Sequence, residues 1–317
     1  MKKVLFAFIL SMIIAMSGFA VIGCDKTKSE VKIMVPNGIT LIAVGNLYDE
    51  KDVKVENVNG PDLLSSAFTS KSHDIVVAPL NLGAKLYNNN QSVYKLASMI
   101  TFGNVYIVSK EGTPLDNSLA DLEGKKIIAF GKGSTPDIIF RAALANKNIE
   151  INEENITYQS GVSEVVPLFK ANNSQYDYAV VAEPVVSQLQ IKFGLKLNIV
   201  DLQVVLQSKM ESIPQAGIFV NPESKNLDKI NEVLSKLKAD IKELNDNPDA
   251  YAQDIIDKNE FFANLTKEVI ASAIKSGNVI NYLDAKANKS VAEQYFELLM
   301  EQNPNLLNKL PEDTFYY

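Results

Sequence analysis

One cysteine, one histidine, one arginine and no tryptophan leave this 317-residue chain short of the side chains that carry much of protein chemistry. With only Cys24 and His73 there can be no Cys/His zinc cluster, no di-histidine metal site and no internal disulfide. No metal and no cofactor is expected. A Ser-His-Asp triad would have to use His73, which stands in Ser70-Lys71-Ser72-His73-Asp74, a polar stretch that reads as a solvated loop. An enzyme built from this inventory would depend on carboxylate, lysine or tyrosine, and no catalytic residue is assigned. Positive charge is also scarce. Lys and Arg number 31 against 38 Asp and Glu, for a net charge of -7 and a pI near 5.0. That balance excludes nucleic acid and polybasic membrane contacts, which need clustered cations.

The lone cysteine is informative by its position. Lys2 and Lys3 precede an apolar run that ends Val21-Ile22-Gly23-Cys24. A basic start, an apolar core and a small residue before the cut make a secretory signal peptide, and a cysteine just after the cut is what bacterial lipid attachment needs. Residues 4–23 are also about long enough to span a bilayer as an uncleaved anchor, at about 1.5 Å per residue. The placement of Cys24 favours the lipoprotein. Residues 1–23 are thus expected to be the signal peptide, and 24–30 a lipidated polar linker. Two acyl chains, each contributing about 0.8 kcal/mol per buried methylene, would hold the protein on the extracytoplasmic face of the cell membrane. No later segment reads as a membrane span.

Two stretches of the remaining chain follow one local plan. Residues 31–35 form an apolar strand running into Pro36-Asn37-Gly38-Ile39-Thr40. Lys126-Ile127-Ile128-Ala129-Phe130 runs into Gly131-Lys132-Gly133-Ser134-Thr135-Pro136 and a helix-like segment over 137–146. Further on, Asp74-Ile75-Val76-Val77-Ala78-Pro79 and Asp177-Tyr178-Ala179-Val180-Val181-Ala182-Glu183-Pro184 are apolar strands stopped by proline. Continuous apolar runs flanked by helix-period segments are the pattern of buried parallel strands, so the fold class is α/β with two similar lobes. Residues 106–110 and 196–206 are extended and β-branched, and read as two hinge crossings. The first lobe is then expected over 31–108, the second over 109–205, and a return to the first over 206–317. In that return, Leu227, Ile230, Leu234, Leu237, Ile241 and Leu244 recur at helical spacing up to Asn245-Asp246-Asn247-Pro248. Helices over 266–275 and 290–302 follow, all expected to pack on the first lobe.

In open α/β sheets, ligands bind beyond the carboxyl ends of the strands, where helix N-termini present free N–H groups. Both Gly/Thr turns fall there. Thr135 reads as an N-cap with Pro136 at the first helical position, and Gly131 and Gly133 allow close backbone approach. The turn matches neither a Walker loop nor a dinucleotide fingerprint, and as a bare motif it suits a plain strand-to-helix connection as well as a pocket. The candidate ligand set is Gly38, Ile39, Thr40 and Asn81 from one lobe and Gly133, Ser134, Thr135, Ser163 and Glu183 from the other. Thr101 and Phe102, near the first crossing, complete it.

The lipobox at Cys24, the run Asp121-Leu122-Glu123-Gly124-Lys125-Lys126 before the Gly131–Pro136 turn, and Ala182-Glu183-Pro184 together resemble the solute-binding lipoproteins of ABC importers. The similar branch takes nitrate, sulfonates and thiamine precursors. The resemblance implies a type 2 periplasmic-binding-protein fold, a two-lobed Venus flytrap with a two-strand hinge. It further implies a monomer that closes on a small-molecule ligand and hands it to a permease driven by an ATPase. The sole arginine, Arg141, lies inside the helix after the turn, so an arginine fork for an anion is not expected. With Glu183 expected in the cleft, a neutral or cationic solute, or a zwitterion, fits the inventory. A competing class is an enzyme on the same fold, such as a dehydratase or pyrimidine synthase, which lipid anchoring disfavours. Another is a ligand-sensing surface lipoprotein.

Overall fold

The computed structural model describes residues 30–317 apart from Gly60 and Asn278. Cys24 and the signal sequence lie outside the described residues. Among the described residues, no helix is long and apolar enough to cross a membrane.

Among the described residues, eleven strands form two sheets. The first half supplies β1 (Val31–Pro36), β2 (Val53–Val58), β3 (Ile75–Pro79) and β4 (Lys95–Phe102). Then come β5 (Tyr106–Lys110), β6 (Ile127–Phe130), β7 (Ile156–Gln159), β8 (Tyr178–Val181) and β9 (Leu197–Asp201), followed by β10 (Pro214–Val220) and β11 (Ile280–Asp284). One sheet has the order β11-β4-β10-β3-β1-β2, the other β7-β6-β8-β5-β9. In each, the earliest parallel strand lies between its next two: β1 pairs in parallel with β2 and β3, and β6 with β7 and β8. The repeated plan in the sequence is therefore a repeated topology. The buried strands are the continuous apolar ones; Ile75 to Ala78 and all of β8 are shielded from water.

Each sheet also receives one antiparallel strand from the far side of a crossing. β10 lies between β3 and β4, and β5 between β8 and β9. The chain thus passes between sheets twice, through residues 103–105 and 202–213. The extended reading of 196–206 holds only to Asp201. There the Asp201 carboxylate accepts from the Gln203 N–H at 2.8 Å, an N-cap that starts a short helix over Leu202–Leu206. Leu202, Val205 and Leu206 on its inner face are buried.

The helices are, in order, α1 (Ile39–Ala43), α2 (Pro61–Ser70), α3 (Leu80–Asn88), α4 (Thr135–Lys147), α5 (Val162–Lys170), α6 (Val185–Ser187), α7 (Leu202–Leu206), α8 (Leu227–Asp246), α9 (Pro248–Ile255), α10 (Glu260–Ala263), α11 (Lys267–Lys275) and α12 (Lys289–Gln302). α8 follows the leucine periodicity, burying Ile230, Val233, Leu234, Leu237, Ile241 and Leu244. Thr266 caps α11 by accepting from the Val269 N–H at 3.3 Å. The C-terminal helices pack on the first sheet and also reach the second lobe. Ser272 of α11 meets Ser187 at 2.9 Å, and Tyr295 of α12 donates to Thr135 at 3.2 Å. His73 is buried rather than solvated, its ring between Ser72 Oγ at 2.8 Å and Glu56 Oε2 at 3.2 Å.

Candidate functional site

The carboxyl ends of β1, β2 and β3 face those of β6 and β7 across a cavity of about 810 Å3. Pro36, Asn59, Pro79 and Asn81 stand on the first lobe, and Phe130, Ser134, Thr135, Tyr158 and Gly161 on the second. Leu306, after α12, closes one edge, and Lys85 Nζ ties that segment down by donating to the Asn305 carbonyl at 2.9 Å. The lobes touch at the floor, where the Thr135 hydroxyl donates to Asn81 Oδ1 at 3.3 Å.

The second-lobe wall is built by the turn after β6. Gly131 and Gly133 take φ of +65° and +72°, and a Cβ on Gly131 would sit 2.4 Å from Ser134 Oγ. Ser134 Oγ donates to the Gly131 carbonyl and so fastens the turn to itself. Ser134, not Thr135, is the N-cap residue of α4, which leaves the Thr135 hydroxyl free to meet Asn81. Buried Asp137 reaches back to accept from the Gly133 N–H at 2.8 Å. The same carboxylate accepts from the Tyr158 phenol and from Arg141 Nε, the latter at 3.0 Å. Arg141 is therefore committed behind the cavity, where it also grips Glu153 and holds that carboxyl below its ordinary pKa. Burial, reinforced by Asp137, raises the Tyr158 phenol, so it is a neutral donor at physiological pH.

Among the described residues, no aspartate, glutamate, histidine or cysteine lines the cavity, whereas Lys85 and Lys132 do. Lys132 Nζ lies 5.4 Å from the centre of the Tyr158 ring. The remaining surface is largely apolar, with Leu64, Leu82, Phe130 and Val162 among the lining side chains. Such a site can enclose an apolar body, hydrogen-bond a polar group and neutralise a negative charge.

Of the residues picked from sequence, Asn81, Ser134 and Thr135 line this cavity, and Gly133 stands in the turn beside it. Gly38, Ile39, Thr40, Thr101, Phe102, Ser163 and Glu183 do not. Ile39, Thr40, Thr101 and Phe102 are buried, Thr40 donating to the Pro36 carbonyl and Thr101 accepting from the Ala216 N–H. Ser163 is exposed on α5, one residue beyond Val162 of the lining. Glu183 is 4% exposed and faces α6 and the C-terminal helices. Its carboxylate accepts from the Ser187 N–H and Oγ, both at 3.1 Å, and its own N–H donates to Asn104. Burial raises its pKa. Glu183, the carboxylate expected in the cleft, thus lies outside this cavity. Sequence reasoning missed Asn59, Lys85, Lys132 and Tyr158. The alternation Asn57-Val58-Asn59 at the end of a strand was the available signal for the first.

Solved structures share this architecture. A protein of Parabacteroides distasonis described as an ABC transporter is similar at a TM-score of 0.73 and 24% identity, covering 91% of this chain and 99% of its own. The periplasmic aliphatic sulphonate-binding protein SsuA of Escherichia coli is similar at 0.67 and 14%, covering 91% and 92%. The chain has the periplasmic-binding-protein fold. The alkanesulfonate-binding protein SsuA of Xanthomonas axonopodis pv. citri, solved with MOPS bound, is also similar, at 0.62 and 17%, covering 90% and 95%. No protein-family model and no curated relative matches the chain. The neighbours are described as binding proteins and transporter components, not as enzymes.

Proposed function

We propose that this protein is the extracytoplasmic solute-binding component of an ABC importer. It is held to the membrane by lipid on Cys24, and it captures a small organic solute that carries an anionic group on an apolar body. The carrying observation is the cavity between the two sheets, with Lys85 and Lys132 in its lining and, among the described residues, no carboxylate. The shared fold of the two sulfonate-binding neighbours supports the same reading. Micromolar capture needs about 8 kcal/mol, within reach of an enclosed apolar body, a few hydrogen bonds and one charge contact. The protein works as a monomer and delivers its solute to a permease and ATPase.

Calorimetry on a soluble form beginning after Cys24 tests the solute. Hexanesulfonate, MOPS and hexanoate are compared with hexyltrimethylammonium and hexanol. Binding of the anions and not the cation is expected; binding of the cation alone, or of none, overturns the reading. Membrane fractionation of Cys24→Ala tests the anchor, and wild-type behaviour in fractionation and precursor processing would sink it.

A further inference from the structure

Four asparagine side chains form a hydrogen-bonded series that ends at the cavity. Asn259 caps α10, its Oδ1 accepting from the Phe261 N–H at 2.8 Å. Its Nδ2 donates to Asn57 Oδ1 at 3.0 Å and to the Tyr48 hydroxyl at 2.9 Å. Asn57, in β2, donates through Nδ2 to Asn37 Oδ1 at 2.7 Å. Asn37, just past β1, donates through Nδ2 to Asn59 Oδ1. Asn59, just past β2, lines the cavity.

The direction of this series has a physical origin. Amide oxygen and nitrogen have nearly the same shape, so partners alone decide which way each group points. A backbone N–H can only donate, so Phe261 fixes Asn259 with its oxygen toward the helix and its NH2 toward Asn57. Each next amide must then turn its oxygen upstream and its NH2 downstream. Tyr48 fits the same sense, accepting from Asn259 and donating to Asn57 Oδ1 at 3.4 Å. Burial pushes its phenol up to about 12, so it keeps the proton that this requires.

We propose that Asn59 is a specificity-determining residue whose Nδ2 donates to an acceptor oxygen of the bound solute. Asn37, Asn57 and Asn259 are positioning residues that hold it that way round. The inference rests on the cavity being the solute site. It assigns one corner of that site to a carbonyl, carboxylate or sulfonate oxygen and denies it to an ammonium or N–H group. Aligned amides polarise one another, which strengthens the terminal donor. The helix cap before α10 thereby sets the hydrogen-bonding sense of a group in the cavity wall.

Neutron diffraction from the protein exchanged into D2O reads the direction itself. Deuterons are expected on the Asn59 amide atom turned away from Asn37, and an oxygen there overturns the inference alone. Calorimetry with hexanesulfonate reads the consequence. Asn59→Leu removes the donor without adding charge and is expected to weaken binding about tenfold. Asn259→Ser keeps a capping oxygen for Phe261 but deletes the amide donor, and is expected to weaken binding several-fold at a melting temperature close to wild type. Wild-type affinity in both variants overturns the inference while the anionic-solute reading stands. A wild type that binds hexyltrimethylammonium alone, or neither probe, overturns both.

Discussion

Thr135 Oγ1 donates to Asn81 Oδ1 at 3.3 Å while accepting from the Tyr295 phenol at 3.2 Å, so one hydroxyl joins both lobes and the C-terminal helix. Tyr295 is fully buried, and burial raises its pKa, so its proton stays in this relay at any physiological pH. Replacing Thr135 with valine keeps the shape and deletes the hydroxyl. Buried polar groups left without partners cost about 1–3 kcal/mol, and that cost falls on the closed arrangement in which they meet. Thr135→Val is therefore expected to raise the radius of gyration in small-angle scattering without solute. It should also lower apparent hexanesulfonate affinity about tenfold. Unchanged scattering and affinity would show that the contact does not bias closure.

Lys132 is the exposed cation of the second-lobe wall, held near Tyr158 by a 5.4 Å ring contact. A hydrogen bond to a charged group contributes about 1.5–3 kcal/mol, so Lys132→Met should weaken hexanesulfonate binding about 10- to 100-fold. It should also flatten the salt dependence, because exposed charge contacts are screened at physiological ionic strength. Hexanol, with the same apolar body and no charge, is the control whose binding should not fall. Equal losses for both probes would mean that the lysine serves shape, not charge.

Much of the architecture was legible in the sequence because buried parallel strands announce themselves. Ile75 to Ala78 and Tyr178 to Val181 are unbroken apolar runs, each soon followed by a proline. The stripe of α8 was equally plain, since only one helical face repeats at three and four. The place of β10 within its sheet was not legible: it pairs with β3 and β4, and nothing local encodes partners so far along the chain. The cavity was readable only in part. Position at a strand end picked out Asn81 and Thr135, which line the cavity, but the same rule placed Glu183 there, and its side chain turns instead to Ser187. A strand-end position fixes a residue's height in the sheet, not the side to which it points. The amide series was invisible because Asn57 and Asn259 are 202 residues apart.

Gly131 holds φ at +65°, and a Cβ there would meet Ser134 Oγ at 2.4 Å. A left-handed conformation costs an L-residue about 1–2 kcal/mol, and the clash adds to it. Gly131→Ala should lower stability by about 2 kcal/mol and weaken solute binding, because Ser134 must leave the Gly131 carbonyl. The double variant Gly131→Ala with Ser134→Gly removes the clash but not the backbone cost, so chemical denaturation should show partial recovery. Full recovery would assign the whole effect to the clash.

Glu183 sets the sign of a pH dependence that is separate from solute binding. Burial is the main influence on its carboxyl and raises the pKa above 4.5, while hydrogen bonds from Ser187 act in the opposite sense. The folded protein therefore holds this proton more tightly than the unfolded chain. Its stabilising contribution is complete below about 4.5 and is lost as pH rises through the raised folded value. Asp201, raised by the same cause, adds a term of the same sign in wild type and variant alike. In Glu183→Gln the amide oxygen still accepts from the Ser187 N–H and its NH2 can donate to Ser187 Oγ, so the contacts survive without the buried charge. The variant should melt a few degrees higher than wild type at pH 7.5, with the gap closing as pH falls toward 4.5. Hexanesulfonate affinity should stay at the wild-type value, since Glu183 does not line the cavity. A variant that melts lower at pH 7.5, or a gap that does not change with pH, would show that the ionised carboxylate stabilises this joint.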